Sequence, residues 1–225
     1  MSDLEHEHPL QFLSALTPEE LAAFRAHGRI RRFGPGDIIF HEGDDPGGVL
    51  AIVTGRVKIS MIGVGGREVV LGFPAAGELL GELAALAGRP RAATVTAVEP
   101  VEAIAVRTPE FQRFVAEHPR ITPLVFERVA ERLAQADRQL VDFATRDVTA
   151  RVAGRLLELA QTAGEPGPNG VRITLPLTQD ELAAWTGSSR EAVARSLHLL
   201  RELGWIETAR RQISVINADG LRGLA

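Results

Sequence analysis

Short β-prone segments separated by glycine and proline fill the first half of the chain and constrain its fold most. They predict six strands, over residues 37–40, 49–53, 56–62, 68–73, 93–98 and 101–106. Many short strands at this spacing are typical of a β-sandwich or β-barrel. The glycine-rich run at 63–66 could suggest a phosphate loop. No helical pattern follows it, however, so we expect a hairpin turn.

The composition excludes several kinds of protein. A chain of 225 residues has room for two modest domains. It has no cysteine, so disulfides, thiolate zinc sites and cysteine-ligated iron–sulfur clusters are excluded. The six histidines show no haem-binding spacing, and we expect no metal. Residues 1–8 lack the basic flank and apolar core of a signal peptide, and no apolar run is long enough to cross a membrane. We therefore expect a cytoplasmic protein with no membrane partner.

Charge is distributed unevenly along the chain. The formal net charge is −4, which argues against a general polycation. Residues 148–225, however, hold nine Arg against eight acidic residues, so the excess of negative charge lies in the preceding part. This balance is consistent with a C-terminal module that faces DNA.

Glu82 and Arg91 stand out in a glycine- and alanine-rich run at residues 81–97, in which Arg89 is the one other charged residue. Glu82 precedes Arg91 by nine residues, with almost no other polar side chain between them. A carboxylate can accept a hydrogen bond from a ribose hydroxyl, and a guanidinium can grip two phosphate oxygens. Small neighbours let backbone N–H groups approach the phosphate. The run therefore indicates a sugar-phosphate site; the alternative is a loop in which Glu82 and Arg91 only pair with each other.

Helix-start patterns and a regular apolar spacing describe the middle of the chain. Thr17-Pro18-Glu19-Glu20 and Thr108-Pro109-Glu110 are each expected to cap a short helix. A long helix follows Pro123, with apolar residues at alternating steps of three and four. That spacing is a coiled-coil seam and predicts a homodimer, the alternative being packing on the chain's own barrel. The predicted interface residues are Phe126, Val129, Leu133, Ala136, Leu140 and Phe143.

Residues 178–203 have the pattern of a helix-turn-helix. Thr178 with Glu181, and Ser188 with Glu191, have the spacing of capping boxes, and Gly187 lies at the turn between them. A short first helix and a longer recognition helix are expected.

Charged residues open the expected recognition helix. Arg190 and Glu191 come first, and Arg195 follows about one turn later. Arginine suits guanine O6 and N7, and glutamate accepts from cytosine N4, although such charges can also form a solvated helix face. A hairpin at 207–216 carries Arg210 and Arg211 near its tip, where they can contact phosphate.

The two modules together resemble bacterial transcription regulators of the cyclic-AMP receptor protein (Crp/Fnr) family along nearly the whole chain. GELAAL followed by RAATV is similar to the family's phosphate-binding cassette, and SREAVAR to its DNA-reading segment. The resemblance implies an α+β fold with three parts. These are a cyclic-nucleotide-binding β-barrel of jelly-roll type at 1–120, a dimerisation helix and hinge at 121–146, and a winged helix-turn-helix at 147–225.

The same resemblance assigns a ligand and its contacts. Cyclic AMP would act as an allosteric ligand, with Glu82 on the ribose 2′-hydroxyl and Arg91 on the cyclic phosphate. Backbone groups of Gly81, Leu83 and Ala92 would assist them.

The residues that would meet the base depart from the family pattern. They are Ala136 and Asp137, where hydroxyl or amide side chains are usual. Ala136 has no side-chain donor or acceptor, whereas Asp137 can accept from the adenine amino group and disfavours the guanine O6. Two Asp137 carboxylates facing each other across a dimer would repel, and a ligand could relieve that repulsion; the alternative is a solvent-facing residue. Ala92 lacks a hydroxyl for guanine and also favours adenine.

On the DNA side, the resemblance implies a homodimer on double-stranded DNA at two-fold symmetric TGTGA-like half-sites, with RNA polymerase as a further partner. An alternative interpretation is a DNA-binding regulator that acts without cyclic AMP, either constitutively or in response to another small molecule. An enzyme or channel subunit is not expected, because no catalytic constellation accompanies the cassette. The predicted DNA-contacting residues are Thr178, Gln179, Ser188, Ser189, Arg190, Glu191, Arg195, Arg210 and Arg211.

Overall fold

The structure, a computed structural model, describes residues 11–209 and 212–225. The chain forms two compact units. The first contains the chain up to Met61 together with Leu71–Ala134, and the second contains Ile62–Val70 together with Gln135–Ala225. The expectations for the N-terminal segment and for Arg210 and Arg211 lie outside the described residues.

The elements up to the long helix are mainly short strands with helices at both ends. In chain order they are α1 (Phe12–Ala15), α2 (Pro18–His27), β1 (Gly28–Phe33), β2 (Ile38–Phe40), β3 (Gly48–Thr54), β4 (Val57–Ile62), β5 (Glu68–Gly72), β6 (Leu79–Leu80), α3 (Glu82–Ala87), β7 (Thr94–Ala97), β8 (Val101–Arg107), α4 (Thr108–Glu117) and α5 (Ile121–Thr145). All six predicted strands are therefore confirmed, to within one or two residues at each end. Strands β1 and β6 and helices α1 and α3 were not expected.

Two four-stranded sheets form the jelly-roll part of the fold. Their strand orders are β1-β8-β3-β6 and β2-β7-β4-β5, and the pairs β1–β8, β3–β8 and β4–β7 are antiparallel. One apolar cluster joins residues of both sheets, including Ile52 on β3, Val57 on β4 and Val95 on β7. The sheets therefore pack face to face as a sandwich. This confirms the predicted sheet architecture.

The sheet containing β3 and β8 is covered on both faces. Along β3, Leu50 and Ile52 join the cluster between the sheets, whereas Val49 and Ala51 join a second cluster with the helices. Successive side chains of a strand point to opposite faces, so a strand buried on both faces must be apolar throughout. The continuous run of apolar residues in β3 follows from this. Helices α2 and α4 supply Phe24, Phe111 and Phe114 to the outer cluster.

The start of α2 is joined by an ion pair to the start of α5. The capping box of Thr17 and Glu20 is confirmed: each side chain accepts from the other's backbone N–H. Arg120 donates to both Glu20 carboxylate oxygens, at 3.1 and 2.7 Å, and to the Ala15 carbonyl. The hydrogen bonds from Arg120 and then from Thr17 hold the pKa of Glu20 at about 2, against an ordinary value of 4.5.

The second unit contains the helix-turn-helix and a small sheet. Its elements after α5 are α6 (Val148–Thr162), β9 (Gly164–Gly167), β10 (Gly170–Ile173), α7 (Gln179–Thr186), α8 (Arg190–Glu202), β11 (Ile206–Ala209), β12 (Gln212–Val215) and α9 (Ala218–Leu224). The sheet order is β11-β12-β10-β9. Buried Trp185 on α7, Val193 on α8 and Leu156 on α6 belong to its core. The expected winged helix-turn-helix is confirmed.

Two predicted helix caps are wrong. Thr108 lies inside α4, whose N-cap is Arg107, and the Thr108 hydroxyl donates instead to the Pro46 carbonyl. The N-cap of α8 is Ser189, which accepts from the Ala192 N–H at 3.2 Å, rather than Ser188.

The helices of the described residues were compared with the requirements of a membrane span. Within residues 11–209 and 212–225, none combines the length and the apolar character that a membrane span requires.

The Glu20–Arg120 pair predicts a pH dependence of stability. Because folding lowers the pKa of Glu20, its stabilising contribution is complete above about pH 4.5 and is lost as the pH falls towards about 2. Glu20→Gln should lower the free energy of unfolding at pH 7 by about 1–2 kcal/mol. The loss is modest because Arg120 is partly exposed and solvent weakens the ion pair. The deficit relative to wild type should shrink below pH 4.5 in urea titrations.

Glu19→Gln is the matched control for that substitution. Glu19 is an exposed carboxylate in the same first turn of α2. A parallel pH profile for the two variants would contradict the assignment to the Arg120 pair.

Candidate ligand site and DNA-reading surface

The turn between β6 and α3 holds Glu82 in a buried position. Leu79 and Leu80 pair with Ala51 and Leu50 of β3, which fixes the position of the turn. Gly81 then adopts a left-handed conformation, with φ of +81°, and Glu82 begins α3. Glycine enters this region without the penalty that a Cβ imposes. As a result, Glu82 is a charged residue that is only 2% exposed.

The Arg91 side chain is enclosed by backbone carbonyls and an aromatic ring. Nη1 donates to the Gly81 carbonyl at 3.0 Å, and Nη2 donates to the Gly48 carbonyl at the start of β3. The guanidinium carbon lies 3.8 Å from the centre of the Phe40 ring, within the range of a cation–π interaction. Arg91 is 5% exposed. Its guanidinium is therefore fixed in position by contacts with Phe40, Gly48 and Gly81.

The backbone of Arg91 is also held. Its N–H donates to the Asp44 carbonyl at 2.8 Å, and its carbonyl accepts from the Gly43 N–H at 2.9 Å. Burial lowers the pKa of the Arg91 guanidinium, and the carboxylates of Glu82 and Asp44 oppose that shift. Arginine keeps its proton in proteins, so the site contains a buried positive charge.

Helix α5 supplies the ion-pair partner of Glu82. Arg132 donates to Glu82 Oε1 at 2.6 Å and to the Leu79 carbonyl at 2.7 Å. A second carboxylate, Glu78, lies 3.5 Å from Arg132 and also pairs with Arg128. Two arginines of α5, Arg128 and Arg132, therefore pair with two glutamates, Glu78 and Glu82, at the start of the cassette.

Two buried polar atoms at the cassette are left without partners. Among the described residues, neither Glu82 Oε2 nor Arg91 Nε has a hydrogen bond, and the two side chains form no ion pair with each other. A buried charged group without its full set of hydrogen bonds is costly and points to a missing partner. The pair can accept from a hydroxyl through Oε2 and donate to an anion through Nε. A loop held together only by a Glu82–Arg91 pair is therefore wrong.

The remaining predicted ligand residues lie at different places in the chain. Leu83 on α3 and Ala92, which follows Arg91, are both exposed. Ala136 and Asp137 lie on α5 within the second unit and are also exposed. Their roles remain predictions.

Sequence reasoning missed Phe40, Gly48 and Arg132. All three contact the cassette across 43 to 51 residues of chain. Nothing local to any of them signals that contact.

Most of the predicted interface residues on α5 expose apolar surface. Phe126, Leu133 and Leu140 are each exposed over more than 60% of their area, and Ala136 is exposed, whereas Val129 is half-buried. Phe143 differs because it has neighbours within its own unit. Arg151 lies 5.6 Å from its ring centre, and a Cβ at Gly187 would come within 3.1 Å of the ring.

The helix-turn-helix presents the predicted readers at one helix end. Arg190, Glu191 and Arg195 are exposed in the first two turns of α8. Hydrogen bonds from its own backbone and from Ser189, followed by the nearby charges of Arg190 and Arg195, lower the pKa of Glu191. Glu191 is therefore ionised at neutral pH and can accept from a base amino group.

The polar residues before the reader positions have structural partners. The capping box of Thr178 and Glu181 is confirmed, and Gln179 is exposed at the first position of α7. The hydroxyl of Ser188 pairs with that of Thr186 at 2.7 Å. Gly187 ends α7 in the left-handed conformation, as the predicted turn requires.

The close approach of Arg91 to Gly81 predicts a large cost for a methyl group there. A Cβ at Gly81 would lie 2.2 Å from Arg91 Nη1, in addition to the strain of its positive φ. Gly88→Ala is the control, because Gly88 also has a positive φ but open space around the Cβ position. We expect Gly88→Ala to cost about 1 kcal/mol and Gly81→Ala about 2–4 kcal/mol in urea unfolding. Equal costs would show that Arg91 is not held in place.

Both halves of the chain match known domain families. The cyclic nucleotide-binding domain profile matches residues 30–118, and the Crp-like helix-turn-helix domain profile matches residues 150–224. A CRP-like cAMP-activated global transcriptional regulator of Mycobacterium tuberculosis is 30% identical over 204 residues, covering 91% of each chain. A global nitrogen regulator of Synechococcus elongatus is 30% identical over 204 residues, covering 90% of this chain and 92% of the relative.

A solved structure agrees with these matches. The c-di-GMP-responsive global regulator CLP of Xanthomonas campestris has a TM-score of 0.79 and 25% identity, covering 88% of this chain and 99% of CLP. The profiles, the relatives and this structure therefore agree on one assignment. The chain belongs to the Crp/Fnr family of DNA-binding transcription regulators, which are not enzymes, and it has the family's cyclic nucleotide-binding domain.

Proposed function

We propose that this chain is a cyclic-AMP-controlled regulator that binds two-fold symmetric, TGTGA-like DNA sites as a homodimer. The observation that carries the proposal is the pair of buried, incompletely bonded side chains at the cassette. Glu82 Oε2 and Arg91 Nε are the two unpartnered atoms. A cyclic nucleotide offers a ribose hydroxyl for the first and a phosphate for the second, and so would remove the cost of leaving both unsatisfied.

The same carboxylate provides a route from the ligand to α5. Arg132 occupies Glu82 Oε1, so a ribose hydroxyl on Oε2 would share the carboxylate rather than displace the arginine. Ligand and α5 would then act on one group. Regulation further requires that the ligand bind one arrangement of α5 more tightly than another.

The base preference for adenine rests on α5 and on Ala92. Asp137 is an exposed carboxylate that can accept from the N6 amino group and disfavours the O6 of guanine. Ala92 lacks the hydroxyl that would suit guanine. A cAMP-activated regulator from Mycobacterium tuberculosis among the relatives supports the same ligand.

The homodimer is supported by the apolar seam of α5. Phe126, Leu133 and Leu140 lie seven residues apart and are all exposed in the single chain. A seam with this repeat buries its apolar side chains against a second helix. Two chains related by a two-fold axis would present two copies of α8 to successive major grooves, with RNA polymerase as an expected further partner.

A second candidate keeps DNA binding but not cyclic AMP. Both terminal nitrogens of Arg91 already donate to backbone carbonyls, of Gly81 and Gly48, so the cassette can also serve as a structural closure. The solved relative CLP is described as responsive to c-di-GMP, and other relatives are nitrogen regulators. The regulator would then be constitutive or sense another small molecule.

Nucleotide titration separates these two candidates. Calorimetry should detect cyclic AMP binding, with weaker binding of cyclic GMP. Arg91→Lys should reduce the affinity by about tenfold or more, because lysine keeps the charge but loses the planar fork. Arg56→Lys is the control, since Arg56 is a partly buried arginine of the same unit that donates to the Phe73 carbonyl.

Two results would contradict the cyclic AMP proposal. One is no heat and no thermal shift at millimolar nucleotide. The other is unchanged affinity in Arg91→Lys.

A substitution in α8 tests the DNA side. Arg190→Ala should lose about 1–3 kcal/mol of discrimination at one base pair of each half-site, measured by binding to single-base variants of a TGTGA duplex. Arg222→Ala, which removes an exposed and ion-paired arginine from α9, should change specific and random duplexes alike. An equal loss on specific and random DNA for Arg190→Ala would refute its assignment as a base reader.

A further inference from the structure

An acidic residue on α7 faces the first reader on α8. Asp180 lies in the first turn of α7, and its Oδ2 is 3.8 Å from Nη1 of Arg190. The two side chains are 70% and 63% exposed. The pair therefore joins two different helices of the helix-turn-helix at the surface that presents the readers.

Asp180 is one of two acidic residues in the first turn of α7, where negative charge favours a helix N-terminus, but it makes none of the capping hydrogen bonds. The capping box of α7 uses its neighbour Glu181, which accepts from the Thr178 N–H at 2.9 Å and from the Thr178 hydroxyl at 2.8 Å. A pair as long and as exposed as Asp180–Arg190 contributes almost nothing to folding. The consequence of the Asp180–Arg190 pair is therefore expected in the DNA contacts of Arg190.

Three other charged residues lie on α7 and α8 near this pair in sequence. On α8, Glu191 is bonded to its own backbone and to Ser189, and Arg195 lies about one turn further along. On α7, Glu181 is held by Thr178. Asp180 is thus the carboxylate that reaches Arg190 from the neighbouring helix.

We propose that Asp180 is a specificity-determining residue for DNA, which restrains Arg190 for a guanine edge and keeps it from phosphates. The proposal rests on the proposed sequence-specific DNA binding. It concerns a residue that the predicted set of DNA contacts did not include.

Geometry allows guanine and Asp180 to share one arginine. A guanidinium has five N–H donors, of which a guanine edge uses two, at O6 and N7. The remaining donors stay available to Asp180, so the ion pair and the base contact are compatible.

A phosphate is treated differently from a guanine. It brings a negative charge next to the Asp180 carboxylate, and like charges repel. Phosphate contacts supply most of the sequence-independent affinity of DNA-binding proteins. Asp180 therefore weakens binding to random DNA more than binding to a correct site, and so widens the difference between them.

Asp180→Asn tests the proposal with a close control. Asp219→Asn removes the same charge from an exposed Asp–Arg pair on α9, away from the reader positions, and so reports the effect of net charge alone. Each full-length variant is titrated against a random duplex and used to select sites from a library with two randomised half-sites. Binding is measured at several salt concentrations.

We expect Asp180→Asn to bind the random duplex about threefold to tenfold more tightly than Asp219→Asn does, with a salt slope steeper by about one per recognition helix. Its selected sites should lose the base preference that Arg190→Ala also loses. In an Arg190→Ala background, Asp180→Asn should then have no further effect on selectivity.

The outcomes distinguish this proposal from the function on which it rests. A clear wild-type consensus that is unchanged in Asp180→Asn would overturn the role of Asp180 alone. The same holds if Asp180→Asn and Asp219→Asn gain equally on random DNA. A wild-type library that yields no consensus would overturn sequence-specific binding and the role of Asp180 with it.

Discussion

The cyclic nucleotide-binding domain depends on the enclosure of one arginine. Arg91 joins three segments that are distant in sequence, because it donates to carbonyls at Gly48 and Gly81 and lies over the ring of Phe40. A guanidinium can do this because its donors point in fixed directions within a plane, whereas an ammonium cannot. Burying a charge is costly unless it is bonded, and two of the five N–H donors of Arg91 bond to backbone carbonyls. Its Nε is buried without a hydrogen-bond partner in the described chain.

Glu82 is the buried negative charge of the same site. Its Oε1 is neutralised by Arg132, and Arg132 also approaches Glu78, which pairs with Arg128. Removing one member of a buried ion pair costs more than the pair contributes, since the other charge is left unpaired. The alternation of charge therefore holds the register of α5 on the cassette. Among the described residues, the same arrangement leaves Oε2 of Glu82 buried without a hydrogen-bond partner.

Elements with local patterns were predictable from the sequence, and contacts between distant segments were not. Apolar runs with glycine breaks identified six strands, and Thr178 and Gly187 identified the turn of the helix-turn-helix. Strand β1 was missed because its sequence, GRIRRF, lacks the apolar pattern of a strand. Its central residues are exposed, so they can be charged.

The wrong caps have the same explanation. Thr108 and Ser188 each have the residue type of an N-cap, but each hydroxyl has another partner: the carbonyl of Pro46, 62 residues away, and the hydroxyl of Thr186. For the site, Glu82 and Arg91 could be identified from the small and mostly apolar residues around them, whereas Arg132 and Phe40 required the fold.

Helix α5 contacts the functional residues of each unit through a different kind of interaction. In the first unit the contact is ionic, between Arg132 and Glu82. In the second unit it is steric: Phe143 lies so close to Gly187 that a methyl group there would touch the ring. Arg151 of α6 adds hydrogen bonds to the Arg146 carbonyl, just after α5, and to the Thr186 carbonyl at the end of α7. Packed side chains have discrete arrangements rather than a continuous range, so a change in the end of α5 would have to move the turn before α8. Within the second unit, the C-terminal end of α5 is therefore packed against the turn that precedes the recognition helix.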